Sequence, residues 1–234
     1  MPGVSLEVRI DAKCVREPDG GTRLVLRDVR FAVEPGEFVA LFGPSGIGKT
    51  TALRLALGLD RTFKGSVSPP GGRIGAVFQE PRLLPWLTVA ENLRLVLPDR
   101  GRSIGISHLL SQVELSDVEQ RYPRELSLGM ARRVSLARAL AVDPDVLVLD
   151  EPFASLDPAL GARLATSVSN WARDRGATVL LATHDLDQTL AVASRVMVLA
   201  GTPATLAADI TVDQRGHRCA IARLRATLIA RFPF

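Results

Sequence analysis

The feature that most constrains this chain is the run Gly-Pro-Ser-Gly-Ile-Gly-Lys-Thr at residues 43–50, set directly behind Phe38-Val39-Ala40-Leu41-Phe42. A short, continuous apolar run is what a strand buried on both faces of a parallel sheet requires. Glycines at these spacings let successive backbone N–H groups turn inward around phosphate oxygens, at the positive end of the helix that follows. Gly43, Pro44, Ser45, Gly46, Ile47, Gly48, Lys49, Thr50 and Thr51 are therefore the predicted nucleotide contacts. Lys49 is placed to neutralise the outer phosphates. The Thr50 hydroxyl suits Mg²⁺, which takes few protein oxygens and keeps several waters. The expected ligands are ATP and Mg²⁺.

Three further apolar runs, Ile74–Phe78, Val146–Leu149 and Thr178–Thr183, read as strands of the same sheet, with another at Arg195–Leu199. Each ends at polar residues, and ligands of open α/β sheets collect beyond the carboxyl ends of strands. Gln79, Asp150, Glu151 and His184 are thus expected to converge on the glycine-rich loop. Asp150 is assigned to the Mg²⁺ shell, and Glu151 to accepting a proton from the attacking water. Upstream, Leu6–Ile10 and Thr22–Phe31 alternate apolar with charged residues around a turn at Pro18-Asp19-Gly20-Gly21, which predicts an antiparallel β lobe. From residue 81 to 141 prolines and the helical stretches Thr88–Leu97 and Ser107–Gln112 predict an inserted α-helical subdomain. The core then comprises 1–80 and 142–234. It ends in a docked helix over 217–234, where Ile221, Leu224, Leu228 and Phe232 recur at helical spacing.

Composition narrows the class. The 234 residues suffice for one large domain, and 47% hydrophobic with 23% charged residues excludes disordered, collagen-like and coiled-coil chains. A net charge of +4 comes without any block of lysine or arginine, so it does not decide partners. Cys14 and Cys219 have neither metal nor redox spacing and read as structural residues of a reduced compartment. The N-terminus lacks a secretory pattern, and no run approaches the roughly 18 apolar residues of a spanning helix.

The segment Glu125-Leu126-Ser127-Leu128-Gly129-Met130 and the arginine-bearing helix behind it resemble the signature of ATP-binding cassette (ABC) proteins, ordinarily Leu-Ser-Gly-Gly-Gln. The resemblance covers nearly the whole chain. It implies that Ser127 and Gly129 present a helix N-terminus to the nucleotide of a partner cassette. It implies that Gln79 senses the metal and attacking water, that Ser155-Leu156-Asp157 crosses the dimer interface, and that His184 is the switch histidine. Two residues depart from the pattern: Leu128 replaces the first signature glycine, and Val15 stands where an aromatic residue usually stacks on adenine.

The stretch Phe78–Leu93 is similar to cassettes of nitrate, sulfonate and taurine importers, which implies a small anionic solute and a groove for a permease helix around Leu83, Leu84, Trp86 and Leu87. The expected protein is the ATPase subunit of an importer, with a P-loop core and a mixed, largely parallel sheet. Its implied partners are a second cassette, permease subunits and a separate solute-binding protein, at the cytoplasmic face of the membrane. Two other readings carry different tests: a soluble cassette of nucleic-acid repair or translation, which usually has a coiled-coil insertion and a tandem cassette, and a phosphate-loop kinase of a small metabolite.

Overall fold

The computed structural model describes residues 6–68, 70–97, 105–212 and 218–232. They fall into two compact units, Met1–Gly71 with Thr178–Phe234, and Gly72–Ala177. In chain order the first unit supplies β1 (Leu6–Arg16), β2 (Thr22–Val33), β3 (Phe38–Phe42), α1 (Lys49–Ala56) and β4 (Lys64–Ser68). The second unit supplies β5 (Ile74–Val77), α2 (Val89–Arg94), α3 (Ile106–Ser111), α4 (Leu128–Ala141), β6 (Val146–Asp150) and α5 (Pro158–Arg175). The chain then returns to the first unit with β7 (Thr178–Thr183), α6 (Leu186–Val192), β8 (Arg195–Ala200), β9 (Thr205–Thr211) and α7 (Arg218–Arg231).

In the first unit, β1 lies between β2 and β4, antiparallel to both. This is the expected antiparallel lobe, enlarged by one strand. The alternation of β1 buries Leu6, Val8 and Ile10, and irregular pairing with β4 between Ile10 and Ala12 then shifts the buried face to Lys13. The remaining strands run in the order β7-β3-β8-β9, the first three parallel and β9 antiparallel. All five residues of β3 and all six of β7 are buried, as their uninterrupted apolar sequences demand. In α7, Leu228 is buried, whereas Leu224 and Phe232 are partly covered. The side chain of Ile221, expected on the same face, lies outside the described residues.

In the second unit, β5 and β6 pair in parallel, Val77 opposite Leu149. Side-chain caps start α2, α4 and α5. Thr88 and Glu91 form a reciprocal capping box on α2, and Asp157 accepts from the Ala159 and Leu160 N–H groups at the head of α5. Gly176 ends α5 with a positive φ of 63°. Among the described residues no helix is long and apolar enough to cross a membrane. Cys14, expected to be structural, is an exposed free thiol on β1.

Candidate functional site

The predicted phosphate loop belongs to the first unit and joins β3 to α1. Gly46 and Gly48 take φ values of 78° and 116°, the left-handed region that glycine tolerates. Gly48 is the N-cap of α1, and no side chain caps the helix there, so its first N–H groups face the loop. The Lys49 side chain is buried, and its ammonium donates to the carbonyls of Gly43 and Pro44 at 2.8 and 3.0 Å. The ammonium is thereby held over the opening of the loop, which suits an incoming polyphosphate. Thr50 and Thr51 follow it into the first turn.

His184 stands just past the buried end of β7. The Asp185 N–H donates to the Thr183 hydroxyl at 3.0 Å, and Asp185 Oδ1 accepts from the Gln188 N–H at 2.9 Å, capping α6. His184 is fixed between these two bonds and is exposed. It lines one cavity together with Gly43, Pro44 and Ser45. The predicted switch histidine and the first part of the predicted phosphate loop are thus brought together. Val15 lies on β1, half-buried, opposite Arg23 of β2.

The second unit holds the other predicted residues. Gln79 and Glu151 each stand two positions beyond the Val77–Leu149 pair, on the same edge of β5 and β6. Asp150 closes β6 at 1% exposure, and Glu151 is buried with a φ of 50°. A non-glycine residue in that conformation stores strain, on the order of 1 to 3 kcal/mol, that recurs at functional sites. Hard oxygen donors such as the Asp150 carboxylate and the Thr50 hydroxyl fit Mg²⁺ by type.

Helix α4 ties three predicted segments of this unit together. Ser127 caps it, accepting from the Met130 N–H at 3.2 Å. Arg132 donates to the Ala154 carbonyl and Gly129 packs against Leu156, which fixes Ser155-Leu156-Asp157 to the head of the helix. Arg138 donates to the carbonyls of Arg82 and Pro81 at 2.9 and 3.1 Å, holding the segment behind Gln79. Burial lowers the Arg138 pKa from its ordinary value. Leu128, in place of the usual glycine, is 54% exposed.

None of Leu83, Leu84, Trp86 and Leu87 is buried, and Trp86 is 69% exposed. The residue that shapes their segment is Asn92, which sequence reasoning missed. It is fully buried, and its amide donates to the carbonyls of Leu84, Leu87 and Thr88. The available signal was a lone polar residue between Ala90 and Leu93 on the buried side of α2.

The family described as ABC transporter matches residues 26–154. The chain belongs to that family. It is an ATP-binding cassette and an ATPase. An aliphatic sulfonates import ATP-binding protein SsuB 1 from Xanthomonas axonopodis pv. citri is 41% identical, covering 90% of this chain and 91% of its own. An SsuB protein from Bacillus licheniformis is 39% identical over 90% of this chain and 86% of its own. A dimeric ATP-binding cassette solved in a post-hydrolysis state with ADP and Pi has a TM-score of 0.79 at 26% identity, covering 91% of this chain and all 100% of that one. The cassette fold, with its α/β core, β lobe and helices, is as the sequence predicted. The repair, translation and kinase readings find no support in these relatives.

Proposed function

We propose that this cassette energises an importer of aliphatic sulfonates, working as one of a pair beneath permease subunits at the cytoplasmic face of the membrane. The observation that carries the reading is the 41% identity to a sulfonate import subunit across nine-tenths of both chains. A separate solute-binding protein would deliver the cargo, and the pair is a homodimer or a heterodimer with a second cassette. Core 1–80 and 142–234, subdomain 81–141 and helix 217–234 are the proposed functional divisions.

In this reading Gly43 to Thr51 hold the ATP phosphates, with Lys49 pairing their charge. Thr50, Gln79 and Asp150 hold Mg²⁺, which when bound supplies charge neutralisation on the phosphate oxygens. Glu151 takes the proton of the attacking water, Gln79 and His184 orient and sense that water and the outer phosphate, and Ser127 with Gly129 addresses the partner's nucleotide. The position of Glu151, buried just past the carboxyl end of β6, supports its assignment, because ligands of open α/β sheets collect there.

The test is Glu151→Gln. It is expected to bind ATP as the parent does and to hydrolyse it more than about 100-fold more slowly. Retention of over a tenth of the rate would remove Glu151 as the base. Uptake by the cassette with its permease should favour an alkanesulfonate, and transport of nitrate alone would overturn the assigned solute.

A further inference from the structure

The cavity that joins the phosphate loop to His184 has a second half that the cassette reading leaves unused. Its volume is about 370 Å³, within the range of small-molecule sites. Phe42, Pro44, Leu186, Leu228, Ile229 and Phe232 make its walls apolar. Four of its lining residues, Arg225, Leu228, Ile229 and Phe232, come from α7 and the residue that follows it. From the loop it takes only Gly43, Pro44 and Ser45; the cradle of Gly46, Gly48, Lys49 and Thr50 is not part of it. The cavity therefore overlaps the predicted phosphate site at Gly43, Pro44, Ser45 and His184 and extends beyond it to α7.

Among the described residues, its one permanently charged lining residue is Arg225. Arg225 is exposed, and Asp187, which does not itself line the cavity, accepts from its Nε and Nη2. That pairing engages one edge of the guanidinium and leaves Nη1 for another acceptor. His184 and Ser45 are the other polar side chains among the described lining residues. An apolar chamber with a positioned arginine and few other polar groups fits a small amphipathic anion.

We propose that this cavity is a second ligand site, which takes a short-chain organic anion with its alkyl body against Leu186, Leu228 and Ile229 and its acid head on Arg225. Its occupant touches Pro44 and His184, so it acts on the phosphate loop and on the switch histidine from behind the nucleotide. The head is a sulfonate or a carboxylate; both are anions with oxygens that accept from a guanidinium.

Calorimetric titration of the full chain with hexane-1-sulfonate, hexanoate and hexan-1-ol tests the site. At least one anion is expected to bind ten times or more tightly than the alcohol, and the stronger of the two names the head group. Arg225→Gln should erase that preference. Ile229→Trp, at a position 47% exposed, should fill the chamber and abolish binding of all three. MgATP affinity should stay within twofold of the parent in both variants, which shows that the fold and the phosphate site are intact. The proposal is overturned if neither anion binds the parent, or if both variants bind them unchanged. It also falls if Lys49→Ala abolishes anion binding while Arg225→Gln does not, because the anion then occupies the phosphate loop.

Discussion

Asn92 grips Leu84 from both sides of its backbone: the Leu84 N–H donates to Asn92 Oδ1 at 2.8 Å, and Asn92 Nδ2 donates to the Leu84 carbonyl at 3.1 Å. The same amide also serves Leu87 and Thr88. One buried side chain thus sets the course of the segment that carries the exposed Trp86.

Asn92→Leu is expected to destabilise the protein by about 2 to 4 kcal/mol, because a similar volume is kept while several backbone groups lose their partner. In a urea titration the midpoint should fall. Association with the permease should weaken by more than the folded fraction explains, since the segment at 83–87 is released. A variant with an unchanged midpoint would mean that water replaces the amide in full.

Much of the architecture could be read from the sequence because burial on both faces leaves a continuous apolar run, as in Phe38–Phe42 and Thr178–Thr183. β4 was not legible: Lys-Gly-Ser-Val-Ser is largely exposed and carries no alternation. β9 was missed for a related reason, since an antiparallel strand beside β8 is only half-covered and its sequence is mixed. Residue spacing announced the glycine-rich turn between β3 and α1. It could not announce the left-handed backbone of Glu151 or the approach of Arg225 to the cavity, which depend on tertiary packing.

Lys13 gives the first unit a pH-sensitive tie. Its buried ammonium contacts Asp60 Oδ2 at 2.7 Å and donates to the Thr62 carbonyl at 2.8 Å, joining β1 to the segment behind α1. The hydrogen bond from Lys13 lowers the Asp60 pKa below its ordinary 3.8. The stabilisation is therefore present above that ordinary value and is lost as pH falls through the folded-state value. Asp60→Asn should be less stable than the parent at pH 7 by roughly 2 to 4 kcal/mol, because Lys13 stays buried without its counter-charge. The two proteins should converge in stability as the pH is lowered below 3.8 and through the folded-state value. A constant gap across that range would rule out the carboxylate as its source.

Gly46 and Gly48 are left-handed for different reasons. A Cβ on Gly46 meets nothing within 4 Å, whereas one on Gly48 falls 2.8 Å from Leu26 Cδ2 and 3.0 Å from Val25 Cγ1. Gly46→Ala is expected to cost about 1 to 2 kcal/mol of backbone strain and to leave the lobe in place. Gly48→Ala adds a collision with β2 and should lower both thermal stability and affinity for an ATP analogue by the larger amount. Equal losses in the two variants would show that strain alone decides.

The signature helix poses the sharpest contrast, because its two adjacent positions are constrained from opposite directions. A Cβ on Gly129 comes 3.1 Å from Leu156 Cδ2, so any larger residue there requires Leu156 to shift. Leu128 is 54% exposed, so its side chain is available to whatever faces the head of α4. Gly129→Val should push Leu156 and its neighbours aside, weakening ATP-dependent pairing of cassettes with a stability loss of only about 1 kcal/mol. Leu128→Gly removes bulk that partner and nucleotide must accommodate, and should strengthen that pairing threefold or more. Sedimentation velocity with ATP, in the Glu151→Gln background so that hydrolysis does not interrupt closure, reads both effects. Weaker pairing in Leu128→Gly would instead make the leucine an apolar contact that holds the closed pair together.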